Sequence, residues 1–283
     1  MNSKLCPLCQ SRAAQFSVVQ EVMYLECRKC DFIFADPDLL EKVDAGAPLR
    51  QYDEAYWLAE LASARERSYG SSLARLAEAV LYCRVPINKV IDIGTGPGYL
   101  LDAIAAHLPS KAWHFYGVEK FPPEPGFRSE SPNYRCADLA DLSEKFECGV
   151  CIEVLEHLTP RMAEGLADAM RNVAVEGSLF LFNTGLTQYV RKEDPGYLDP
   201  YGRGHITCWS VTAARRIFEP RGFRVHPLRG KAWAFVLEFG STVTPGILED
   251  RIWTAPVCNQ QLLQDASMGT LLYILGRESA RAY

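Results

Sequence analysis

The chain has 283 residues, about twice the ~150-residue domain prior, so one domain with an appendage and two separate domains are both open. Its composition, 48% hydrophobic and 23% charged, is that of an ordinary globule with ample material for a core. The net charge of −5 lacks the basic footprint of a nucleic-acid binder, and no apolar run reaches the ~18–20 residues of a membrane helix. Residues 1–10 carry no apolar leader, so a cytoplasmic protein with no membrane partner is expected.

Ten cysteines stand out, and four of them form two C-x-x-C pairs, Cys6/Cys9 and Cys27/Cys30, separated by 17 residues. Each C-x-x-C turn aims two thiolates at one ion, and two turns complete a tetrahedral four-sulfur shell, which predicts a structural zinc ribbon over residues 1–36. Residues 16–26 read as strand, as a ribbon hairpin requires. So short a segment is expected to lack its own apolar core and to depend on the metal. A dithiol redox pair would need only one such motif at a helix N-terminus. The ribbon's charges cancel, so it offers no evident grip on nucleic acid. The other six cysteines, Cys83, Cys136, Cys148, Cys151, Cys208 and Cys258, read as inert core thiols; Cys148 and Cys151 would diverge on a strand.

Residues 37–48 are turn-rich and read as a linker. Residues 52–83 then show helical periodicity, with a break expected near Gly70. Trp57 reads as packing, while Tyr52 and Tyr56 could lean over a ligand. Residues 89–100 form an apolar strand ending in Asp92, then Gly94, Gly96 and Gly98, then a helix through about His107. Such glycines let backbone turn tightly beside a ligand at the carboxyl end of a strand. A dinucleotide fingerprint would need glycine where Tyr99 stands, so the spacing is G-x-G-x-G and a pyrophosphate is not the implied guest.

With these residues the chain resembles the class I S-adenosylmethionine (SAM)-dependent methyltransferases, with matches in order across residues 88–183. In that resemblance Asp92, Gly94, Gly96 and Gly98 line the methionine end of SAM. Glu119, closing the next strand, takes the ribose hydroxyls, for which a carboxylate with two acceptor oxygens is suited. Asp138 receives the adenine amino group, residues 148–153 form the fourth strand, and Glu176-Gly177 leads into the fifth. The implied fold is α/β: a Rossmann-like seven-stranded methyltransferase sheet with helices on both faces, plus the small N-terminal ribbon. Residues 37–84 are then a lead-in over the cofactor site and 85–283 the methyltransferase domain.

Just past the fourth strand, Glu153, Glu156 and His157 would share one face if the segment is a helical turn. That set is either a general-base cluster or half of a hard-metal site, with Glu153 also beside the cofactor. A turn-rich loop, residues 194–204, leads to His205, a candidate fourth ligand or the base itself. The pattern is similar to metal-assisted branches acting on small-RNA ribose 2′-hydroxyls and in ubiquinone-pathway O-methylation, where Mg2+ or another divalent ion would lower a hydroxyl pKa. It is also widespread in relatives without a metal. Ser210 caps a predicted helix, residues 222–225 form a strand, and residues 270–275 are the expected closing strand. Residues 231–268 are then an insertion serving the substrate entrance or a homodimer contact. The expected activity is methyl transfer to a hydroxyl of a small acceptor, a sugar or sugar nucleotide, resembling enzymes of sugar and natural-product pathways. C-methylation of a keto-deoxysugar and RNA 2′-O-methylation are the alternatives.

Overall fold

The computed structural model describes residues 4–49, 54–240 and 248–265, with residues 54–60 as backbone alone. In chain order, β1 (Ala14–Val19), β2 (Val22–Cys27) and β3 (Phe32–Ala35) come first, followed by α1 (Pro37–Asp44), α2 (Glu54–Arg67) and α3 (Leu73–Tyr82). Then come β4 (Val90–Ile93), α4 (Tyr99–His107), β5 (Phe115–Glu119), β6 (Tyr134–Cys136), β7 (Phe146–Ile152), α5 (Pro160–Val173), β8 (Ala174–Asn183) and α6 (Thr187–Lys192). The chain continues with β9 (Thr207–Cys208), α7 (Val211–Phe218), β10 (Phe223–Pro227), β11 (Ala234–Phe239) and α8 (Val257–Leu262).

Among the described residues, seven strands form the main sheet in the order β10-β11-β8-β7-β4-β5-β6, so the Rossmann-like expectation holds. β6, β5, β4, β7 and β8 run parallel, and β11 inserts antiparallel between β8 and β10. The chain order reverses between β4 and β7, and a ligand crevice opens at the carboxyl ends of strands at such a reversal. Central strands buried on both faces explain the near-continuous apolar runs of β4 and β7.

Several expectations need correction. Residues 37–48 are not simply a linker: Asp36 accepts from the Asp38 amide and Pro37 occupies the first turn, which starts α1. Gly70 does not break the lead-in helix; it lies in one π-helical turn, Ser68–Ser72, joining α2 to α3. Residues 231–268 are not one insertion, because β11 lies within them and pairs with β8 from Ala234↔Asn183 to Glu238↔Leu179. The expected closing strand at 270–275 lies outside the described residues. Cys136 and Cys258 are exposed, whereas Cys83, Cys148, Cys151 and Cys208 are buried as expected.

The ribbon is also less separate than its sequence implies. β9 joins its sheet to give the order β1-β2-β3-β9, and Phe32 packs against Trp209 with ring centroids 4.7 Å apart. Cys27, Cys30, Phe34, Phe182 and Trp209 belong to one continuous buried cluster. Among the described residues, no helix is long and apolar enough to cross a membrane.

Candidate functional site

The crevice at the carboxyl end of β4 is a cleft of about 150 Å³ walled by Arg67, Ser72, Asp92, Thr95, Leu100 and Glu153, among others. Asp92 stands one residue before the end of β4 and accepts from Thr95 Oγ1 at 2.6 Å. Burial pushes its pKa up to about 7, helped by the nearby charge of Glu119 and opposed by the Thr95 hydroxyl. Gly94 and Gly98 both hold positive φ, +72° and +83°. A Cβ on Gly94 would lie 2.5 Å from Val154 Cγ2, and one on Gly98 would lie 2.6 Å from the Tyr134 ring. The glycines are therefore needed for the turn and for the closeness of its neighbours.

Glu119 closes β5, where its two oxygens accept from the amides of Gly96 and Phe121, each at 2.8 Å. It thereby fastens the glycine turn to the neighbouring strand, and a carboxylate has further lone pairs that could accept from a diol. Tyr134 adds a second fastening by donating to the Gly96 carbonyl at 2.6 Å. Asp138 accepts from the Ala140 amide at 3.0 Å and pairs with Lys120 at 2.6 Å. Burial works against its charged form, but that amide and Lys120 together hold the carboxyl below its usual range. It can therefore accept from an amino group. The Tyr56 side chain lies outside the described residues.

Beyond β7 the chain does not form the expected α-helical turn. Glu153 sits at φ +54°, and a short 3₁₀ turn, Leu155–His157, follows. The structure brings Glu156, His157 and His205 together, with one ligand atom from each within 4.8 Å of the others. Glu153 stands to one side, where its carboxylate accepts from Asn183 Nδ2 at 2.9 Å. Burial and the charge of Glu156 push Glu153 up to about 8. Glu156 is fully buried; its Oε2 accepts from Thr184 Oγ1 at 2.9 Å, whereas Oε1 has no hydrogen-bond partner.

Two backbone carbonyls fix both imidazoles. His157 Nδ1 lies 3.1 Å from the Gly204 oxygen and His205 Nδ1 lies 2.7 Å from the Tyr197 oxygen. A carbonyl only accepts, so both Nδ1 atoms carry hydrogen and donate to it. His205 Nε2 is 3.9 Å from Glu156 Oε1. Burial, then the neighbouring His157, lowers the His205 pKa to about 3, which disfavours its charged form. Thr184 and Tyr197, whose hydroxyl accepts from the Gly185 amide at 2.8 Å, also shape this pocket. Neither carried a sequence signal beyond its place at a strand end or in the turn-rich loop.

In the ribbon, Cys6 and Cys30 sulfurs lie 4.0 Å apart, and those of Cys9 and Cys27 lie 3.6 Å apart. A tetrahedral site with Zn–S ≈ 2.3 Å requires sulfur separations of ~3.8 Å, so the four thiols fit zinc closely. Burial pushes the Cys6 thiol up to about 12, and a cation within the cluster would reverse that preference.

A family model described as a methyltransferase domain matches residues 61–228, more than half of the chain. The chain belongs to that methyltransferase family. With this sheet order it is a class I SAM-dependent methyltransferase, and no curated protein matches it. Among solved structures it is similar to Streptomyces venezuelae DesVI at 14% identity, covering 68% of this chain and all of that one (TM-score 0.49). It is also similar to a SAM-bound amino pentose methyltransferase of calicheamicin biosynthesis from Micromonospora echinaspora, at 17% identity, covering 67% and 98% (TM-score 0.49). Human N-acetylserotonin methyltransferase shares 13% identity, covering 71% of this chain and 62% of that one (TM-score 0.46).

Proposed function

We propose that this methyltransferase transfers the methyl group of SAM to a hydroxyl of a small polyhydroxylated acceptor, a sugar or sugar nucleotide. The observation that carries the reading is the cluster of Glu156, His157 and His205 at the carboxyl edge of β7, beside the crevice that Asp92 and the glycine turn form. Methyl transfer is an in-line displacement, so an acceptor hydroxyl must be aligned with the sulfonium and relieved of its proton. SAM would lie along the glycine turn, with Glu119 toward its ribose and Asp138 toward its adenine.

With one carboxylate and two imidazoles, the acceptor-side cluster suits a transition-metal divalent cation better than Mg2+, which prefers oxygen ligands. The residues that would hold it are Glu156, whose Oε1 has no hydrogen-bond partner, and His157 and His205, each ring oriented by a backbone carbonyl as metal-bound histidines are. Such an ion would supply the acidity that lets a hydroxyl ionise near neutrality. Without it, half-buried His157 or buried His205 would take the proton. The chain's net charge of −5 supports a small acceptor over RNA.

The test is a SAM-dependent assay against a panel of sugar nucleotides and simple glycosides, with RNA oligomers beside them. Methyl transfer to a sugar hydroxyl is expected, with loss on chelation of divalent ions under conditions that retain zinc. Methyl recovered only on carbon or only on RNA would overturn the acceptor assignment. Full activity after chelation would leave a histidine of the cluster as the base.

A further inference from the structure

We propose that Tyr24, on the ribbon, is a positioning residue for His205, and that the ribbon is the support through which the acceptor-side cluster keeps its shape. The inference rests on the reading of Glu156, His157 and His205 as the acceptor-side cluster. None of the three stands on a long helix or strand. Glu156 and His157 occupy a single short turn, and His205 follows an irregular loop. Local hydrogen bonds cannot hold such segments to the tolerance that methyl transfer requires, so something must hold them from outside.

The ribbon does so residue by residue. Tyr24 lies on β2, is fully buried, and its hydroxyl donates to the His205 carbonyl at 2.7 Å across 181 residues of sequence. The next residue, Ile206, accepts at its carbonyl from the Ala35 amide at 2.8 Å. Thr207 and Cys208 then pair with Phe34 and Ile33 of β3, and Ser210 donates to the Cys30 carbonyl at 3.2 Å. The same strip grips the opposite half of the cluster. The Ile206 amide donates to the Glu156 carbonyl at 3.0 Å, and Thr207 Oγ1 lies 3.0–3.3 Å from the carbonyls of Leu155, Glu156 and Leu158. Residues 205–210 are therefore a splint with the ribbon on one side and the Glu156 turn on the other.

Tyr24 holds the catalytic end of that splint. Its hydroxyl fixes the main chain at His205 itself, while the Tyr197 carbonyl fixes the ring. Burial keeps the phenol protonated, so it remains a donor at every working pH. Removing the hydroxyl leaves the ring's packing intact and withdraws one donor from the backbone of His205.

The experiment compares the zinc-loaded full chain with Tyr24→Phe and with Thr187→Val. Thr187 donates to Asp31 at 3.0 Å, so its loss removes a contact between ribbon and domain that does not touch the cluster. Three quantities are read: binding of S-adenosylhomocysteine, kcat and acceptor KM, and the imidazole nitrogen signals of labelled histidine. Tyr24→Phe is expected to bind S-adenosylhomocysteine within about twofold of wild type, to lose about 10- to 100-fold in kcat, and to shift or broaden the His205 signal. Thr187→Val is expected to leave all three in place. A Tyr24→Phe protein whose kcat and His205 signal match those of Thr187→Val would overturn the proposal. The histidine signal needs no acceptor, so it tests the splint even if the acceptor assignment fails.

Discussion

Asp92 makes the cofactor crevice unstable when nothing occupies it, and the size of that effect can be worked out. The carboxyl is 7% exposed, its folded-state pKa is pushed up to about 7, and in an unfolded chain it would titrate near ~3.9. A folded pKa above the unfolded one means the folded state holds the proton more tightly. The associated stability is complete below pH ~4 and is lost as pH rises through about 7. Integrating between pH ~5.5 and pH ~8 gives a loss of about 1–2 kcal/mol from this one group. Asp92→Asn cannot ionise and keeps an acceptor for the Thr95 hydroxyl, so it should escape the loss. Urea unfolding of both proteins without cofactor should show the variant gaining about 1–2 kcal/mol relative to wild type between those pH values, while its affinity for S-adenosylhomocysteine falls. Parallel pH dependences in the two proteins would refute the argument, because no other difference between them titrates in that range.

Three further outcomes are expected. Gly98→Ala should cost about 2 kcal/mol or more in denaturant unfolding, from its φ of +83° and the approach of its Cβ to Tyr134, whereas Gly126→Ala, with nothing within 4 Å, should change little. Arg251→Met should cost about 3 kcal/mol, because buried Glu238, whose carboxylate now accepts from the guanidinium at 2.8 and 3.2 Å, would keep only His226 Nε2 at 3.3 Å as a partner; adding Glu238→Leu should recover part of it. Elemental analysis of the purified protein should find one zinc per chain, lost together with melting temperature in Cys27→Ser.

How much of this was legible in the sequence depended on how locally each feature is encoded. The Asp92 strand, the glycine turn, Glu119 and the Ser210 cap are short-range patterns, and the structure has them in place; Ser210 Oγ accepts from the Ala213 amide at 3.0 Å. The α1 start was legible too, from Asp36 and Pro37, but the surrounding turn residues obscured it. β11 was misread because residues 233–239 are an aromatic and aliphatic run, which packs equally well in a strand or an inserted segment; pairing with β8, some 50 residues earlier, decides the matter. The acceptor-side cluster was half legible. The spacing of Glu153, Glu156 and His157 implied one helical face, yet the positive φ of Glu153 breaks that face and moves its carboxyl toward Asn183. That His205 joins Glu156 depends on a loop closure no local pattern encodes.

The least legible feature was the dependence of the domain on its ribbon, and it leads to a prediction about truncation. Read as sequence, two C-x-x-C turns around a hairpin suggest an appendage that could be removed. In the structure Phe32, Ile33 and Phe34 are fully buried against the same core that holds Trp209, Cys208 and Ile206, each fully buried as well. Deleting residues 1–36 would uncover both sides of that contact. Exposing a fully buried large side chain costs ~1.5–3 kcal/mol, so uncovering Trp209 and Ile206 alone costs about 3–6 kcal/mol. The unpaired edge of β9 and the bare His205 carbonyl add to this. A domain is typically stable by only ~5–15 kcal/mol, so a chain starting at Pro37 should be largely unfolded or aggregated, with no cooperative melt. If residues 37–283 instead yield a monomer that melts cooperatively and binds S-adenosylhomocysteine with wild-type affinity, the shared core is not needed for folding, and the ribbon's role shrinks to its contact with residues 205–210.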